Sequence, residues 1–163
     1  YVLQTELDFW FTPAPDFSQS HRNPAELPGL ISGNREKFDI LKNQTQKLTT
    51  GAALFGGRIV VEAAPGHTAG HAIFRITAQG ESLLHISDLV HHAILMFHDP
   101  SWVIGLDHHP AASVVTRKKV FAEAAAARTR IYAFHLPWPG LGHIARFGPG
   151  YRWLPEALRW DHA

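Results

Sequence analysis

Three apolar runs of strand length in this sequence are each followed closely by a side chain that can bind a metal ion. The three side chains are His67, Asp88 and His135. In α/β folds the loops at strand ends carry many ligand sites, so three separate loops can present these groups at one edge of a sheet. Imidazole and carboxylate groups suit zinc, manganese, cobalt or iron, and a carboxylate can bridge two such ions. The spacing therefore predicts a metal site built from His67, Asp88 and His135.

Histidine is unusually frequent and unevenly distributed in the chain. The 163 residues include 12 histidines, and all but one of them lie at or after His67. The chain contains no cysteine, which excludes disulfides, zinc ribbons and thiol nucleophiles, so any metal must be held by His, Asp or Glu. No Gly-x-Ser-x-Gly string of the serine hydrolases is present either. These observations favour metal chemistry in the C-terminal part of the chain.

The other histidines are weighed against structural roles, because a single histidine beside a strand is more often a structural or surface residue than a ligand. We expect His71 to orient a neighbouring loop by hydrogen bonding. In the pairs at 91–92 and 108–109 neighbouring side chains point in different directions, so at most one member of each pair faces the site. Surface positions are predicted for His21, His98 and His162.

Periodicity and chain-breaking residues predict an α/β (α+β) chain. The predicted helices are a short one with Thr5 as its cap, a half-exposed one at 34–48 and a long one at 110–128, with Val114, Val115, Val120 and Phe121 as buried candidates. The predicted strands lie at 58–63, 72–77, 82–87, 130–134 and 143–147. Residues 12–33 contain four prolines and are predicted to form a long surface loop.

Charge and hydropathy exclude two classes of partner. The formal net charge is +1, which gives no strong field to attract nucleic acid. The longest apolar run, residues 93–97, is far shorter than the roughly 20 residues that span a bilayer. We therefore expect neither a nucleic-acid nor a membrane partner.

Three motifs occur in a fixed order along the chain. They are Ala-Pro-Gly-His-Thr-Ala-Gly-His at 64–71, Ser-Asp-Leu-Val-His at 87–91 and Phe-His-Leu-Pro-Trp-Pro-Gly-Leu-Gly-His at 134–143. In this order they resemble the C-terminal half of a metallo-β-lactamase-fold hydrolase. Within that superfamily three segments most resemble methyl parathion hydrolase and its lactonase-like relatives. They are Phe-His-Asp-Pro-Ser at 97–101, His-Leu-Pro-Trp-Pro-Gly-Leu-Gly-His-Ile at 135–144 and Gly-Pro-Gly-Tyr-Arg-Trp-Leu-Pro at 148–155.

The resemblance implies a fold, a reaction and a role for each motif residue. The fold would be part of an αβ/βα sandwich, with a mostly antiparallel sheet and the 110–128 helix on one face. His67 would bind the first zinc ion, His135 the second, and Asp88 would bridge both as the catalytic carboxylate; cobalt, manganese or iron are alternative metals. A metal-bridging hydroxide would attack ester, lactone or organophosphate bonds of small molecules. The residues expected around the ligands or in the substrate pocket are His71, His91, His143 and Trp138.

An upstream His-x-His-x-Asp-His motif of this superfamily is absent from the sequence. We therefore expect residues 1–163 to form a single domain that is the C-terminal half of a metallo-β-lactamase-like domain, with the N-terminal half absent, and to be nearly inactive alone. The alternative is a catalytically silent metal-binding or scaffold fragment, active only with its missing half or a partner chain. A homodimer and a cytoplasmic, periplasmic or secreted location all remain open. Pocket walls are expected from Trp10, Phe11, Phe38, Phe97 and Trp138, with the core as their alternative position.

Overall fold

The computed structural model describes residues 1–157, so His162 lies outside the described part. The helices are α1 (Gln4–Phe11), α2 (Leu27–Leu41), α3 (Leu95–His98) and α4 (Pro110–Ala127), with 3-10 turns at Pro24–Glu26 and Ser87–Leu89. The strands are β1 (Val2–Leu3), β2 (Lys47–Leu48), β3 (Ala53–Leu54), β4 (Ile59–Ala63), β5 (Ala72–Ala78), β6 (Glu81–His85), β7 (Arg130–Tyr132), β8 (Leu141–Phe147) and β9 (Gly150–Pro155). Within these residues no helix is both long and apolar enough to cross a membrane.

Seven strands form one sheet in the sequence order β3 to β9, and β1 and β2 form a separate parallel pair. Every neighbouring pair in the large sheet is antiparallel except β6 and β7, which run parallel. A parallel step requires a crossover connection, and the segment that contains α3 and α4 supplies it. The predicted α/β class and the mostly antiparallel sheet are confirmed.

One face of the large sheet forms the core. Ile73, Leu84, Ile131 and Ile144 alternate with outward-facing neighbours along their strands, and each is at most 3% exposed. Helix α4 contributes Phe121 to the same cluster. Alternation with a period of two places these side chains on one face. The strands themselves were predicted from apolar and β-branched runs of strand length.

The long helix occurs where the sequence predicts it, but its buried face is different. Val115 is 69% exposed, whereas Ser113 and Arg117 are buried together with Val120 and Phe121. Positions 113, 117, 120, 121 and 124 form one helical stripe at i, i+4, i+7, i+8 and i+11. Val115 lies off this stripe, so its apolar character does not bury it.

The first part of the chain corrects the predicted loop and helix boundaries. Helix α2 begins at Leu27, inside the predicted loop, and ends at Leu41 rather than at residue 48. Proline is tolerated in the first turn of a helix, and Pro28 occupies such a position. Residues 47–48 leave the helix because they pair with β1 instead. Helix α1 begins at Gln4, with no side-chain cap from Thr5.

The opposite face of the large sheet is only partly covered. Phe74, His85 and Tyr132 stand side by side across β5, β6 and β7, with ring centroids 5.9 and 5.0 Å apart. All three side chains are half-buried. The sheet therefore has one closed face and one partly open aromatic face.

Candidate metal centre

His67 lies in the tight loop between β4 and β5, against the N-terminus of α4. Gly66 has a φ of +139°, and a Cβ there would collide with the Ser113 backbone. The close approach allows the His109 amide to donate to the Gly66 carbonyl at 2.9 Å and the His108 amide to donate to the His67 carbonyl at 3.1 Å. Glycine is required at this position because both the left-handed φ and the contact exclude a side chain.

Glu6 of α1 fastens the other end of the same loop. Its Oε2 accepts from Thr68 Oγ1 at 2.7 Å and from the Gly70 amide at 2.6 Å, while its Oε1 accepts from Trp10 Nε1 at 2.7 Å. Hydrogen bonds to an ionised acceptor are among the stronger ones in proteins. The N-terminal helix thus fixes the backbone on which His67 sits.

His71 connects this loop to the turn that carries Asp88. Its Nδ1 is 2.8 Å from the Ala64 carbonyl, and its Nε2 accepts from the Asp88 amide at 3.0 Å. Both ring nitrogens are therefore engaged, with the hydrogen on Nδ1. Burial lowers the pKa of His71, which keeps the ring neutral, as acceptance at Nε2 requires. In this geometry His71 orients Asp88 and has no nitrogen free for a metal.

Asp88 follows β6 in a 3-10 turn and lies between two imidazoles. Its Oδ1 is 2.8 Å from His135 Nε2 and 3.5 Å from His91 Nε2. The His91 and His135 rings hold the pKa of the Asp88 carboxyl well below its usual value, although partial burial opposes them. Asp88 is therefore an ionised acceptor at neutral pH.

His67, Asp88 and His91 form a metal-sized cluster, in which one ligand atom from each residue lies within 4.8 Å of the other two. The His135 ring stands beside it, 4.6 Å from the His91 ring. Imidazole nitrogens with a carboxylate are a donor set that zinc accepts, so the residues fit the metal that the sequence predicts. The sequence predicts His91 near the ligands. The structure places its ring in this cluster, with Nε2 3.5 Å from Asp88 Oδ1.

Two predicted site residues lie away from the cluster. His143 is on β8 opposite Arg130, with its Nε2 3.7 Å from Glu156 Oε1. Trp138 is 80% exposed in the loop after β7. A position near substrate stays a prediction for Trp138, whereas His143 lies near the start of β8, beside the ion pair of Arg130 and Glu156.

The paired histidines divide their roles as the sequence expects, with at most one ring of each pair near the cluster. His92 accepts from the amides of Ile94 and Leu95. His109 caps α4 by accepting from Ala112. His108 packs against aromatic rings, 4.4 Å from Phe9 between ring centroids.

A cavity of about 250 Å³ opens beside His67. Its aromatic walls are formed by Phe9, Trp10, Phe17 and Phe38. Trp10 and Phe38 were predicted pocket residues, and Phe9 and Phe17 had no such prediction. Phe97 is 1% exposed and belongs to the core, because it stacks on Phe121 rather than turning to the site. Phe11 is half-exposed, and its ring lies 6.2 Å from the ring of Phe38.

Asp107 contacts His67 and was not recognised from the sequence. It is fully buried, and its Oδ1 lies 3.0 Å from His67 Nδ1. Burial raises the pKa of Asp107, but the hydrogen bond from His67 and the charge of Arg117 outweigh burial, so the net shift is downward. No local motif marks this residue, since its partner is 40 positions away in the sequence.

The chain resembles several solved structures. No family model and no curated relative matches its sequence. Among solved structures, the dizinc quorum-quenching lactonase AidC, in complex with a product, is 28% identical, with a TM-score of 0.91 over 97% of this chain and 54% of that chain. The hydrolase AbOPH of the beta-lactamase superfamily is also 28% identical, with a TM-score of 0.85 over 98% of this chain and 55% of that chain.

An N-acyl homoserine lactone hydrolase with N-hexanoyl-L-homoserine at its metal centre shares the fold alone. It is 16% identical, with a TM-score of 0.54 over 81% of this chain and 44% of that chain. The chain thus spans about half the length of the solved structures it matches. The sheet, the order of the three motifs and these neighbours together identify the chain as a member of the metallo-β-lactamase superfamily.

Proposed function

We propose that the protein is a metal-dependent hydrolase of ester, lactone or organophosphate bonds in small molecules. In this proposal a two-zinc centre does the chemistry, and this chain contributes His67, Asp88 and His135 to it. The observation that carries the proposal is the convergence of His67, Asp88 and His91 within 4.8 Å, with His135 on the same carboxylate. Two neighbours that are 28% identical are a dizinc lactonase and a superfamily hydrolase, which supports the same reaction class.

The residues of this chain supply metal ligands and hold those ligands in position. Zinc-type ions bound by these residues would lower the pKa of bound water to about 7 and would polarise the oxygen of the scissile bond. Asp88 is the group suited to serve both ions, because it is a carboxylate lying between His91 and His135. His71 holds the Asp88 backbone in place through its Nε2.

The cavity beside His67 could accommodate an organic substituent of the substrate. Four aromatic side chains wall it, and Arg22 and Asn34 add polar groups at its boundary. Apolar pockets with a few polar groups are typical of small-molecule sites. An acyl chain or an aryl group would therefore lie on the Phe9 side of the centre, with the bond to be broken near Asp88.

The second candidate is a metal-binding fragment that is silent by itself. Its support is the number of ligands: three residues shared between two ions leave one or two ligands for each, whereas catalytic zinc has three protein ligands. If His91 rather than His135 is a ligand, then His67, Asp88 and His91 together supply three ligands for a single ion. We therefore expect one tightly held zinc in the 163-residue chain, and two once the upstream His-x-His-x-Asp-His segment is supplied.

Hydrolysis assays separate the two candidates. The 163-residue chain and a chain extended by the upstream segment are each assayed on an aryl ester, an acyl lactone and a dialkyl aryl phosphotriester, with zinc, cobalt or manganese added. We expect chelator-sensitive activity in the extended chain and almost none in the short one. Asp88→Asn in the extended chain is the matched control for metal-independent background. If the extended chain is inactive on all three substrates, the hydrolase proposal is wrong; if the short chain is fully active, it needs no further ligands.

A further inference from the structure

Asp107 is a buried carboxylate with few partners. It is 0% exposed, and taking a carboxylate out of water costs several kcal/mol unless it is well paired. Its Oδ1 is 3.0 Å from His67 Nδ1, while its Oδ2 has no hydrogen-bond partner within residues 1–157. Such an unsatisfied buried group calls for a functional explanation. A hydrophobic side chain would serve the core at less cost.

The loop that carries Asp107 is fixed by bonds that do not involve its carboxylate. The amides of His108 and His109 donate to the loop of His67, and Ser20 Oγ donates to the Asp107 carbonyl at 2.9 Å. Arg117 is itself 0% exposed. It donates to the carbonyls of Leu89, Pro100 and Trp102 and so holds the backbone of the neighbouring segment in place. The position of the Asp107 backbone is therefore set in advance, and its side chain is left to act on His67 alone.

The contact decides which nitrogen of His67 carries the hydrogen. An ionised carboxylate only accepts hydrogen bonds, so at 3.0 Å the hydrogen lies on Nδ1. Nε2 then keeps its lone pair, and it is the nitrogen left for the cluster with Asp88 and His91. In the other tautomer the hydrogen would occupy Nε2, and this nitrogen could not bind a metal until it was lost.

We propose that Asp107 is a positioning residue, which fixes His67 as the Nδ1–H tautomer and thereby presents Nε2 to the metal. The proposal rests on the proposed function only in assigning a metal to the cluster; the tautomer and the ring orientation are properties of the metal-free chain. Carboxylates bonded to ligating histidines typically change metal affinity by 10–100-fold. The same size of effect is expected here.

Nitrogen NMR of the metal-free 163-residue chain tests the tautomer directly. The chain is labelled with ¹⁵N-histidine, and long-range ¹H–¹⁵N correlations identify which nitrogen of His67 is protonated at pH 8. We expect Nδ1–H in the natural chain. In Asp107→Asn we expect a shift toward Nε2–H, because the amide can turn and donate to Nδ1. A natural chain with the hydrogen on Nε2 would overturn the proposal whatever the variants do.

Zinc affinity provides the second readout. Competition with a chromophoric chelator is measured for the natural chain, Asp107→Asn, Asp107→Ala and the control Ser20→Ala, which loses a bond to the same loop without touching His67. We expect both Asp107 variants to bind zinc 10–100-fold more weakly and Ser20→Ala to stay within twofold. Equal affinities in all four chains would contradict the positioning role.

The two readouts separate this inference from the proposed function. A natural chain with Nδ1–H on His67 but no zinc binding would overturn the metal assignment and leave the hydrogen-bond geometry intact. Zinc binding that is indifferent to Asp107 would overturn the positioning role and leave the metal assignment standing. Circular dichroism of each variant identifies loss of folding, and in that case the tautomer of the natural chain still decides.

Discussion

At the scale of single residues, the candidate centre consists of ligands and of the groups that aim them. Asp88 is a predicted ligand, and its Oδ1 lies 2.8 and 3.5 Å from the Nε2 atoms of His135 and His91. His71 has both nitrogens engaged and acts on Asp88 only through the backbone. This difference in role leads to different consequences when each is removed.

Asp88→Ala is expected to remove more bound metal than His71→Ala. Loss of the carboxylate removes a ligand outright, whereas loss of the imidazole only frees the turn and costs about 10–100-fold in affinity. Mass spectrometry of both variants after equilibration with zinc gives the metal content. Equal losses would mean that His71 acts as a ligand, or that Asp88 does not.

Glu6→Gln is expected to loosen the loop that carries His67. Its Oε2 accepts two hydrogen bonds from that loop, and weakening a charged acceptor of this kind costs about 1–3 kcal/mol in the free energy of unfolding. The control is Glu62→Gln, in a partly exposed pair with Arg75, where about 0–1 kcal/mol is expected. Urea denaturation of both variants measures the difference, and a smaller effect at Glu6 than at Glu62 would refute its clamping role.

Site residues could be predicted from the sequence only where they belong to a local motif. His67, Asp88 and His135 are recognisable because each belongs to a contiguous motif that follows a strand. Asp107 and Glu6 are not, because they meet the His67 loop from 40 and from 62–64 residues away. Contacts of that range depend on the fold, and no local pattern encodes them.

At the scale of elements, helix α4 organises the segment between β6 and β7. Arg117 on its buried stripe donates to three carbonyls of that segment and to Ser113 Oγ. Long strands and α4 were predictable because their periodicity or propensity extends over many residues. The start of α2 was not, since Pro28 and Gly29 read as breakers unless the first-turn position of the proline is known. Arg117 likewise reads as a surface residue until the carbonyls around it are seen.

Arg117→Met is expected to destabilise the chain by about 3–5 kcal/mol, because it leaves three backbone carbonyls without their donor, at about 1–3 kcal/mol each. Lys118→Met, next to it on the exposed side of α4, is the matched control and should change stability by less than about 0.5 kcal/mol. Chemical denaturation followed by circular dichroism measures both. A loss below 1 kcal/mol for Arg117→Met would show that the segment is held by packing alone.

At the scale of the whole molecule, the two faces of the large sheet differ. One face is closed by α3 and α4, and the other presents the half-buried rings of Phe74, His85 and Tyr132. We propose that another protein surface covers this aromatic face. The absence of the His-x-His-x-Asp-His motif predicted an incomplete sandwich. The strand register then shows which side chains form the aromatic face.

The isolated chain is therefore expected to bind a hydrophobic dye or to self-associate through this face. Tyr132→Lys should reduce dye fluorescence and association, whereas Val115→Lys, at an isolated exposed position on α4, should not. Light scattering and dye titration measure the two effects. A rigid monomer that binds no dye would contradict the inference that this face is normally covered.

We propose that this chain contributes a metal centre built around His67 and Asp88. Anomalous diffraction at the zinc edge, from crystals of the chain grown with zinc, locates any bound ion. We expect a strong peak within about 2.0–2.2 Å of His67 Nε2 and an Asp88 carboxylate oxygen, with His91 or His135 completing the contacts. No peak between these residues, with zinc found instead at His143 and Glu156, would contradict it.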